Sequence, residues 1–517
     1  MGKKNIYTIL LILDGLGKGE KNLSNPFRLV KENIFEELKK EYPFCYLNAS
    51  GISVGLPANE PGNCEQGHLA LGTGVIHYTP KLRIDLALEK GELINNKTIK
   101  KIVDYYYEKN SRIHMLFSLN KTPTEADINH IIEILKILKK YQIEDIYFHL
   151  FLDSTSSPPR SGYQLLENFS NLLKENDLPG KIGTICGRFY ALDTTKNYTL
   201  KTQRSFLLLT KGIGKKIDDV FEFLKEKIKD QNFKEDLLEP IVVNEEGIIK
   251  DNDIVLFLNF EPQNIKQLAE AFLDPNFKEF ERPSKENLLV ITLNRYFETL
   301  PNPTIFEEEK IKINFSRIFS DLGFRQFKIT DETRKKHITF YFNGLIDEEH
   351  INETIKILPA IENEESAFKI TEEIFNFLKL IIKDKSFHLI VANLSILDFF
   401  GHLGEFKKAI QAIEFLSSKL KELINLVLDN DWFLIITSDH GNIEKLIDLS
   451  KGTRDTFHNF SPVPFYLIHK KFKKEQNLFS ENIRGDLIDV LPTILDLYGV
   501  YDNYKNYLQG KSLLRLI

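Results

Sequence analysis

The chain has 517 residues, 42% of them apolar and 27% charged, with a formal net charge of −6. That length exceeds one ordinary hydrophobic core and predicts two domains, and the composition is that of a soluble globular protein. The acidic balance offers no basic excess for nucleic acid or an anionic membrane, and no run approaches the ~18 apolar residues of a spanning helix.

The three cysteines, Cys45, Cys64 and Cys186, make no disulfide framework and suit a reducing compartment. Lys3-Lys4 followed by Ile6–Leu13 starts like a secretory signal, but Asp14 ends the apolar run and no small-residue cleavage site follows. The expectation is a cytoplasmic monomer with no membrane and no nucleic-acid partner. The Lys470–Lys474 run reads as a solvated face.

In chain order, Ile6–Leu13 is a near-continuous apolar run, as in a parallel strand buried on both faces, and it ends at Asp14-Gly15. Pro26–Glu41 has helical periodicity. Gly62-Asn63-Cys64-Glu65-Gln66-Gly67-His68 is a small-residue turn before an apolar stretch, a place for a nucleophile. Strands at Ile113–Leu116, Ile146–Leu152, Ile254–Asn259 and Leu288–Leu293 then alternate with helices at Glu125–Lys140, Gly162–Glu175, Lys215–Asp230 and Gln263–Leu273. The last third repeats the opening pattern. Helices are expected at Ile370–Lys383, Glu405–Leu428 and Gly485–Tyr498, and buried parallel strands at Phe387–Asn393, Trp432–Thr437 and Val463–Ile468. The fold class predicted is α/β: a doubly wound sheet domain, residues 1–78 and 311–517, with a second α/β domain, 82–300, inserted. Pro80 and the Pro301/Pro303 segment mark the edges.

The buried runs carry ligand-type residues near one end. Asp14 follows the first, Asp398-x-x-x-His402 follows Phe387–Asn393, Asp439-His440-Gly441-Asn442 follows Trp432–Thr437, and His458 precedes Val463–Ile468. Sites in doubly wound sheets form at the carboxyl ends of strands, which gathers distant segments. Carboxylates and imidazoles are the ligands of two divalent metals that hold attacking and leaving oxygens in line and neutralise a phosphoryl group. Asp398 and His402 lie one helical turn apart and share a face. Any one pair is a chance event; the joint placement is not.

Leu13-Asp14-Gly15, Gly55-Leu56-Pro57, the Gly62–His68 segment, Leu397-Asp398-Phe399-Phe400-Gly401-His402, Ser438-Asp439-His440-Gly441-Asn442, His458, Pro462-Val463-Pro464 and Gly510-Lys511-Ser512-Leu513 together resemble the cofactor-independent phosphoglycerate mutase family of the alkaline phosphatase superfamily. The resemblance runs from about residue 5 to about residue 515 and implies an alkaline-phosphatase-like domain interrupted by a transferase-like domain. It implies two divalent metal ions, manganese or zinc, with magnesium possible. Asp398, His402 and His458 would hold one; Asp14, Asp439, His440 and the nucleophile position, here Cys64, would hold the other. The implied chemistry is transfer of a phosphoryl group between neighbouring hydroxyls of a small phosphorylated metabolite.

The sequence departs from that family in two places. The family's nucleophile is serine, and Cys64 stands there. A thiolate is a good nucleophile and a soft ligand, and shifts preference toward zinc. Sulfatases of the superfamily convert a cysteine to formylglycine within Cys-x-Pro-x-Arg, which Cys64-Glu65-Gln66-Gly67-His68 does not match. The family's substrate arginines are mostly gone. Arg188 remains; Thr155-Ser156, Thr194, Glu261 and Asn264 stand where others are expected, Glu125 falls near a substrate histidine, and Arg334 aligns with a phosphate-facing lysine. Each charge-assisted bond is worth ~1.5–3 kcal/mol, so the change argues for a different, less anionic substrate. Arg160, Lys121 and His130 are candidate neighbours of a new pocket, and His68 is read as a partner of a ligand. His77, His149 and His469 are assigned no role. Three readings follow: a phosphohydrolase or phosphotransferase on another phosphoester, a divergent phosphoglycerate mutase, or a non-catalytic metal-binding homologue.

Overall fold

The structure is a computed structural model that describes residues 6–155, 157–307, 311–347, 349–473 and 482–516. Lys3-Lys4, Ser156 and Lys474, used above, lie outside the described residues. The chain divides into two compact units, residues 1–79 with 310–517 and residues 80–309.

The first unit is built on an eight-stranded sheet in the order Glu353–Leu358, Gln326–Asp331, Leu389–Leu394, Thr8–Leu13, Phe433–Thr437, Val463–Ile468, Phe44–Asn48, Ile483–Asp486. Alternation along Thr8–Leu13 sends Ile9, Leu11 and Leu13 to one face and Leu10 and Ile12 to the other, where each set joins a separate core. Helices Glu364–Asp384 and Phe406–Asp429 cover the first face, and Cys64–Thr73, Phe315–Asp321 and Val490–Leu497 the second. Burial on both faces is why these strands read as unbroken apolar runs.

One strand direction differs from expectation. Val463–Ile468 runs antiparallel to Phe433–Thr437. It is buried along its whole length, so its apolar pattern carries no information on direction. The reversal matters: it brings the amino end of this strand, and hence His458, to the edge where the parallel strands have their carboxyl ends. Phe44–Asn48, antiparallel in turn to Val463–Ile468, again ends at that edge, and the chain runs from there toward Cys64.

The second unit has a seven-stranded sheet whose parallel centre is Lys181–Gly187, Ile146–Leu152, Ile113–Leu119, Ile254–Phe257, Leu289–Thr292. Its two faces are packed by helices such as Ile128–Lys140 and Gly162–Glu175 on one side and Gln203–Lys211 and Lys266–Leu273 on the other.

Several helix boundaries move inward from the apolar pattern to a capping side chain. Pro26–Glu41 is a short 3-10 turn at Pro26–Arg28 and a helix at Ile34–Glu41, capped by Asn33. Lys215–Asp230 keeps only Val220–Lys227, capped by Asp219, and Glu125–Lys140 begins at Ile128 after Asp127. The start of Gly485–Tyr498 is strand Ile483–Asp486, with the helix confined to Val490–Leu497. No described helix is long and apolar enough to cross a membrane.

Candidate metal centre

Three adjacent parallel strands of the first unit end in ligand-type residues. Asp14 follows Thr8–Leu13, Ser438-Asp439-His440 follows Phe433–Thr437, and helix Ile396–Leu403 begins just past Leu389–Leu394, carrying Asp398 and, one turn on, His402. Cys64 is the first residue of helix Cys64–Thr73, whose cap Asn63 accepts from Gln66 N at 2.9 Å. The helix lies directly on the Asp439 turn. A Cβ on Gly67 would stand 2.5 Å from the Asp439 carbonyl oxygen, so only glycine permits this approach.

The seven sequence-predicted ligands fall into two groups. In one, His440 Nε2 lies 3.0 Å from Cys64 Sγ, 3.3 Å from Asp14 Oδ1 and 3.6 Å from Asp439 Oδ2, and Cys64 Sγ is 3.7 Å from Asp14 Oδ1. In the other, His402 Nε2 and His458 Nε2 are 3.1 Å apart and lie 3.3 and 3.4 Å from the two oxygens of Asp398. Tetrahedral ligands held at 2.0–2.3 Å from an ion require donor separations of roughly 3.3–3.8 Å. The observed edges lie within that interval or slightly below it.

Imidazole orientation supports the same fit. Nδ1 of His402 faces Thr456 O at 2.9 Å, Nδ1 of His458 faces Gly62 O at 3.2 Å, and Nδ1 of His440 faces Gly441 O at 3.4 Å. A carbonyl only accepts, so Nδ1 carries the proton and Nε2 turns to the cluster, the arrangement of a metal-ligating histidine. Two bare Nε2 lone pairs 3.1 Å apart repel unless a proton or a cation lies between them. The residues present therefore fit two divalent ions.

Electrostatics add to this. Asp14, Asp398, Asp439 and His440 are fully buried. Burial opposes a charged His440, yet Asp439, Cys64 and Asp14 hold its pKa well above the usual value. The carboxylates thus demand positive charge at Nε2, as a proton or as a metal. Burial, then Asp14, pushes the Cys64 thiol far above its usual pKa, so a thiolate there requires a cation beside it.

Arg334 lies between the two groups. Its Nε donates to Asp14 Oδ2 and its Nη2 to Asp398 Oδ2, each at 2.5 Å. Burial raises the Asp14 pKa, but Arg334 and His440 outweigh it and hold the carboxyl well below the carboxylate range. Sequence placed Arg334 near a phosphate; its position on both Asp14 and Asp398 was not foreseen.

His68 is not in either donor group. It lies on Asp439, with Nδ1 3.2 Å from Oδ2 and 2.8 Å from Cys64 O, and its Nε2 faces Asn393 Oδ1 at 3.1 Å. Sequence reasoning gave no supporting role to four residues that have one. Asn442 Nδ2 donates to Asp398 Oδ1 at 2.7 Å, Glu444 Oε2 accepts from the Gly17 and Asn442 amides, and Ser438 Oγ accepts from Leu16 N. His337 stacks edge-on against His68, and burial lowers its pKa to about 4. Asn442 and Ser438 flank the Asp-His motif and were visible for that reason; His337 had no sequence signal.

Arg188 lies in the second unit. Its Nη1 donates to Asp153 Oδ2 at 2.8 Å, Thr155 Oγ1 at 2.9 Å and Glu125 Oε1 at 3.1 Å. Of the candidate neighbours, His130 Nε2 faces Asp85 at 2.7 Å, and the backbone amides of Lys121 and Arg160 donate to Ser157 Oγ at 2.8 Å and Glu235 Oε2 at 2.7 Å. Thr194, Glu261 and Asn264 stand in the same unit, with Asn264 Nδ2 bonded to Glu125 Oε1 at 2.6 Å.

The sequence pattern of the Metalloenzyme superfamily matches residues 7–502. The chain is 32% identical over 511 residues to the 2,3-bisphosphoglycerate-independent phosphoglycerate mutase of Clostridium tetani, covering 97% of each. It is 32% identical over 524 residues to the protein of the same name from Antithamnion sp., covering 99% of this chain and 100% of that one. Among solved structures, a Leishmania mexicana phosphoglycerate mutase crystallised at low cobalt concentration superposes with a TM-score of 0.60 at 21% identity, covering 96% of this chain and 95% of that one. The fold is thus the alkaline-phosphatase-like α/β fold that the motifs implied. Ligand-type residues at the converging strand ends and full-length similarity agree: the chain belongs to the Metalloenzyme superfamily and, within it, to the 2,3-bisphosphoglycerate-independent phosphoglycerate mutase family.

Proposed function

We propose that the protein is a binuclear-metal phosphoryl-transfer enzyme acting on a small phosphoester other than phosphoglycerate. The observation that carries the first half is the convergence of seven donors at one sheet edge, in two groups that Cys64, His440 and His458 bring within reach of each other. Asp398, His402 and His458 would hold one divalent ion, and Asp14, Cys64, Asp439 and His440 the other, with manganese or zinc the expected metals. When bound, the ions supply Lewis acidity toward phosphoryl oxygens.

The chain's own residues do the rest. Helix Cys64–Thr73 directs its amino end, with its partial positive charge, at the reacting position. Arg334, already set between Asp14 and Asp398, is the guanidinium available to a phosphoryl oxygen. His68 and Asn442 fix the orientation of Asp439 and Asp398. Cys64 acts in this reading as a ligand; whether it also accepts the phosphoryl group is tested by trapping an acid-labile phosphocysteine. A cytoplasmic, monomeric enzyme completes the reading, in keeping with three free cysteines.

The altered substrate is supported by the second unit, where Arg188 is engaged with two carboxylates and Glu261 and Asn264 replace cationic contacts. The competing reading, a divergent mutase, is favoured by 32% identity along the whole length of the relatives. Purified protein loaded with manganese, zinc or magnesium separates them. Metal-dependent phosphate release or transfer from a phosphoester panel, lost in Asp439→Ala and His440→Ala, with no interconversion of 2- and 3-phosphoglycerate, supports the proposal. Interconversion refutes the altered substrate, and inactivity toward every ester refutes the enzyme.

A further inference from the structure

We propose that the second unit contains a subsite for an ammonium group, such as an amine-bearing phosphoester carries; this rests on the phosphoryl-transfer reading above. Location is the first argument. From strand Ile113–Leu119 the chain builds outward through Ile146–Leu152 to Lys181–Gly187, then returns to add Ile254–Phe257 and Leu289–Thr292 on the other side. The strand order therefore reverses between Ile113–Leu119 and Ile254–Phe257. The crevice outside the carboxyl ends at such a reversal is where open α/β sheets bind ligands.

Register shows which side chains border that crevice. Leu119, Leu152 and Gly187 are level across three strands, so one step further Asn120, Asp153 and Arg188 stand in a row. On the other side Leu116, Phe257 and Thr292 are level, which brings Asn259 and Asn294 beside Ser118. Ser118 N donates to Asn259 Oδ1 at 3.0 Å, in agreement with that register. Glu125 joins the row through Arg188 and through its carbonyl, which accepts from Phe260 N at 2.7 Å and Glu261 N at 3.2 Å.

Polar satisfaction is the second argument. Glu125 is 5% exposed and Asn259 0%. Among the described residues, Glu125 Oε2, both amide atoms of Asn120, Asn259 Nδ2 and Asn294 Oδ1 are buried with no hydrogen-bond partner. A buried polar atom left in this state costs about 1–3 kcal/mol, and most such atoms in folded proteins are paired. Several at one sheet edge indicate a surface built to be completed by a ligand.

Charge selects the ligand. Arg188 stands in the row and Lys121 follows Asn120; Arg188 Nη1 already serves Glu125, Asp153 and Thr155. Glu125, Asp153 and Glu261 outnumber the two. A carboxylate would meet repulsion, whereas an ammonium group brings three donors to acceptors such as Glu125 Oε2 and Asn120 Oδ1. Burial raises the pKa of Glu125 and of Glu261, and a bound cation would oppose that effect.

Three probes that differ at the end away from phosphate test this by calorimetry on the metal-loaded full-length protein: O-phosphoethanolamine, glycerol 3-phosphate and 3-phosphoglycerate. The expected result is at least ten-fold tighter binding of O-phosphoethanolamine than of the other two. That preference should vanish in Glu125→Gln and shrink in Glu261→Gln, a partly exposed position where folding is not at stake. Equal binding of O-phosphoethanolamine and glycerol 3-phosphate, tighter binding of 3-phosphoglycerate, or no binding of O-phosphoethanolamine overturns the proposal. Binding is read without turnover, so failure here is distinct from failure of phosphoryl transfer, which would appear as absence of metal-dependent phosphate release.

Discussion

Replacing Arg334 with methionine tests whether cations and a guanidinium compete for the same carboxylates. Arg334 is ion-paired to Asp14 and Asp398, both 0% exposed. Removing one partner of a buried pair costs about 3–5 kcal/mol because the other charge stays buried. The Arg334 side chain is 18% exposed, which sets the expected loss near the lower bound, about 3 kcal/mol. At roughly 2–4 °C per kcal/mol for a domain of this size, that lowers the melting temperature by about 6–12 °C in chelator-treated protein. Trp432, the one tryptophan, lies fully buried in the core of the first unit and reports its unfolding by fluorescence. With saturating manganese or zinc, the ions neutralise Asp14 and Asp398 instead, and the gap between Arg334→Met and the parent should close to about 2 °C or less. A gap unchanged by metal, or no gap under chelation, would refute the reasoning.

Three further outcomes follow from the same geometry. Cys64→Ser exchanges a soft ligand for a hard one and should lower the zinc-to-manganese affinity ratio at least ten-fold in competition titrations while both ions remain bound. Gly67→Ala drives a methyl group into the Asp439 backbone; the expected cost is about 1–3 kcal/mol, read by denaturant melts, together with weaker metal binding by mass spectrometry. His149 and His114 are buried side by side, Nδ1 of His114 2.9 Å from Nε2 of His149, with Thr184 and Asp253 at the two ends. Burial, above all, lowers both histidine pKa values, that of His149 strongly. The unfolded chain then binds more protons than the folded one below pH 6.5, so their contribution is intact above pH 6.5 and declines as pH falls beneath it. His149→Gln should flatten that decline, by up to about 1.4 kcal/mol per pH unit, in melts of the second unit between pH 6.5 and 5.

Much of the candidate donor set was legible because it is local. Asp398 and His402 occupy one helical turn, and Asp439-His440 follows a strand directly, so each pair is readable without knowing the fold. Full burial of the strands made them detectable as apolar runs and at the same time erased the sign of their direction, as Val463–Ile468 shows. Strands with exposed or polar residues escaped notice: Glu353–Leu358 alternates exposure at the sheet edge, and Gln326–Asp331 buries Lys328 against Glu353. His337 and Arg334 owe their places to the turns after Gln326–Asp331, where long-range packing rather than motif spacing decides. The buried His114–His149 pair was likewise unreadable, since only strand register makes the two neighbours.

The central claim is that two neighbouring donor groups each hold one divalent ion. Elemental analysis by plasma mass spectrometry on the purified protein and on Asp439→Ala and Asp398→Ala tests it directly. The account predicts two ions per chain in the parent and close to one in each variant. One ion or none in the parent, or two ions in both variants, would contradict it.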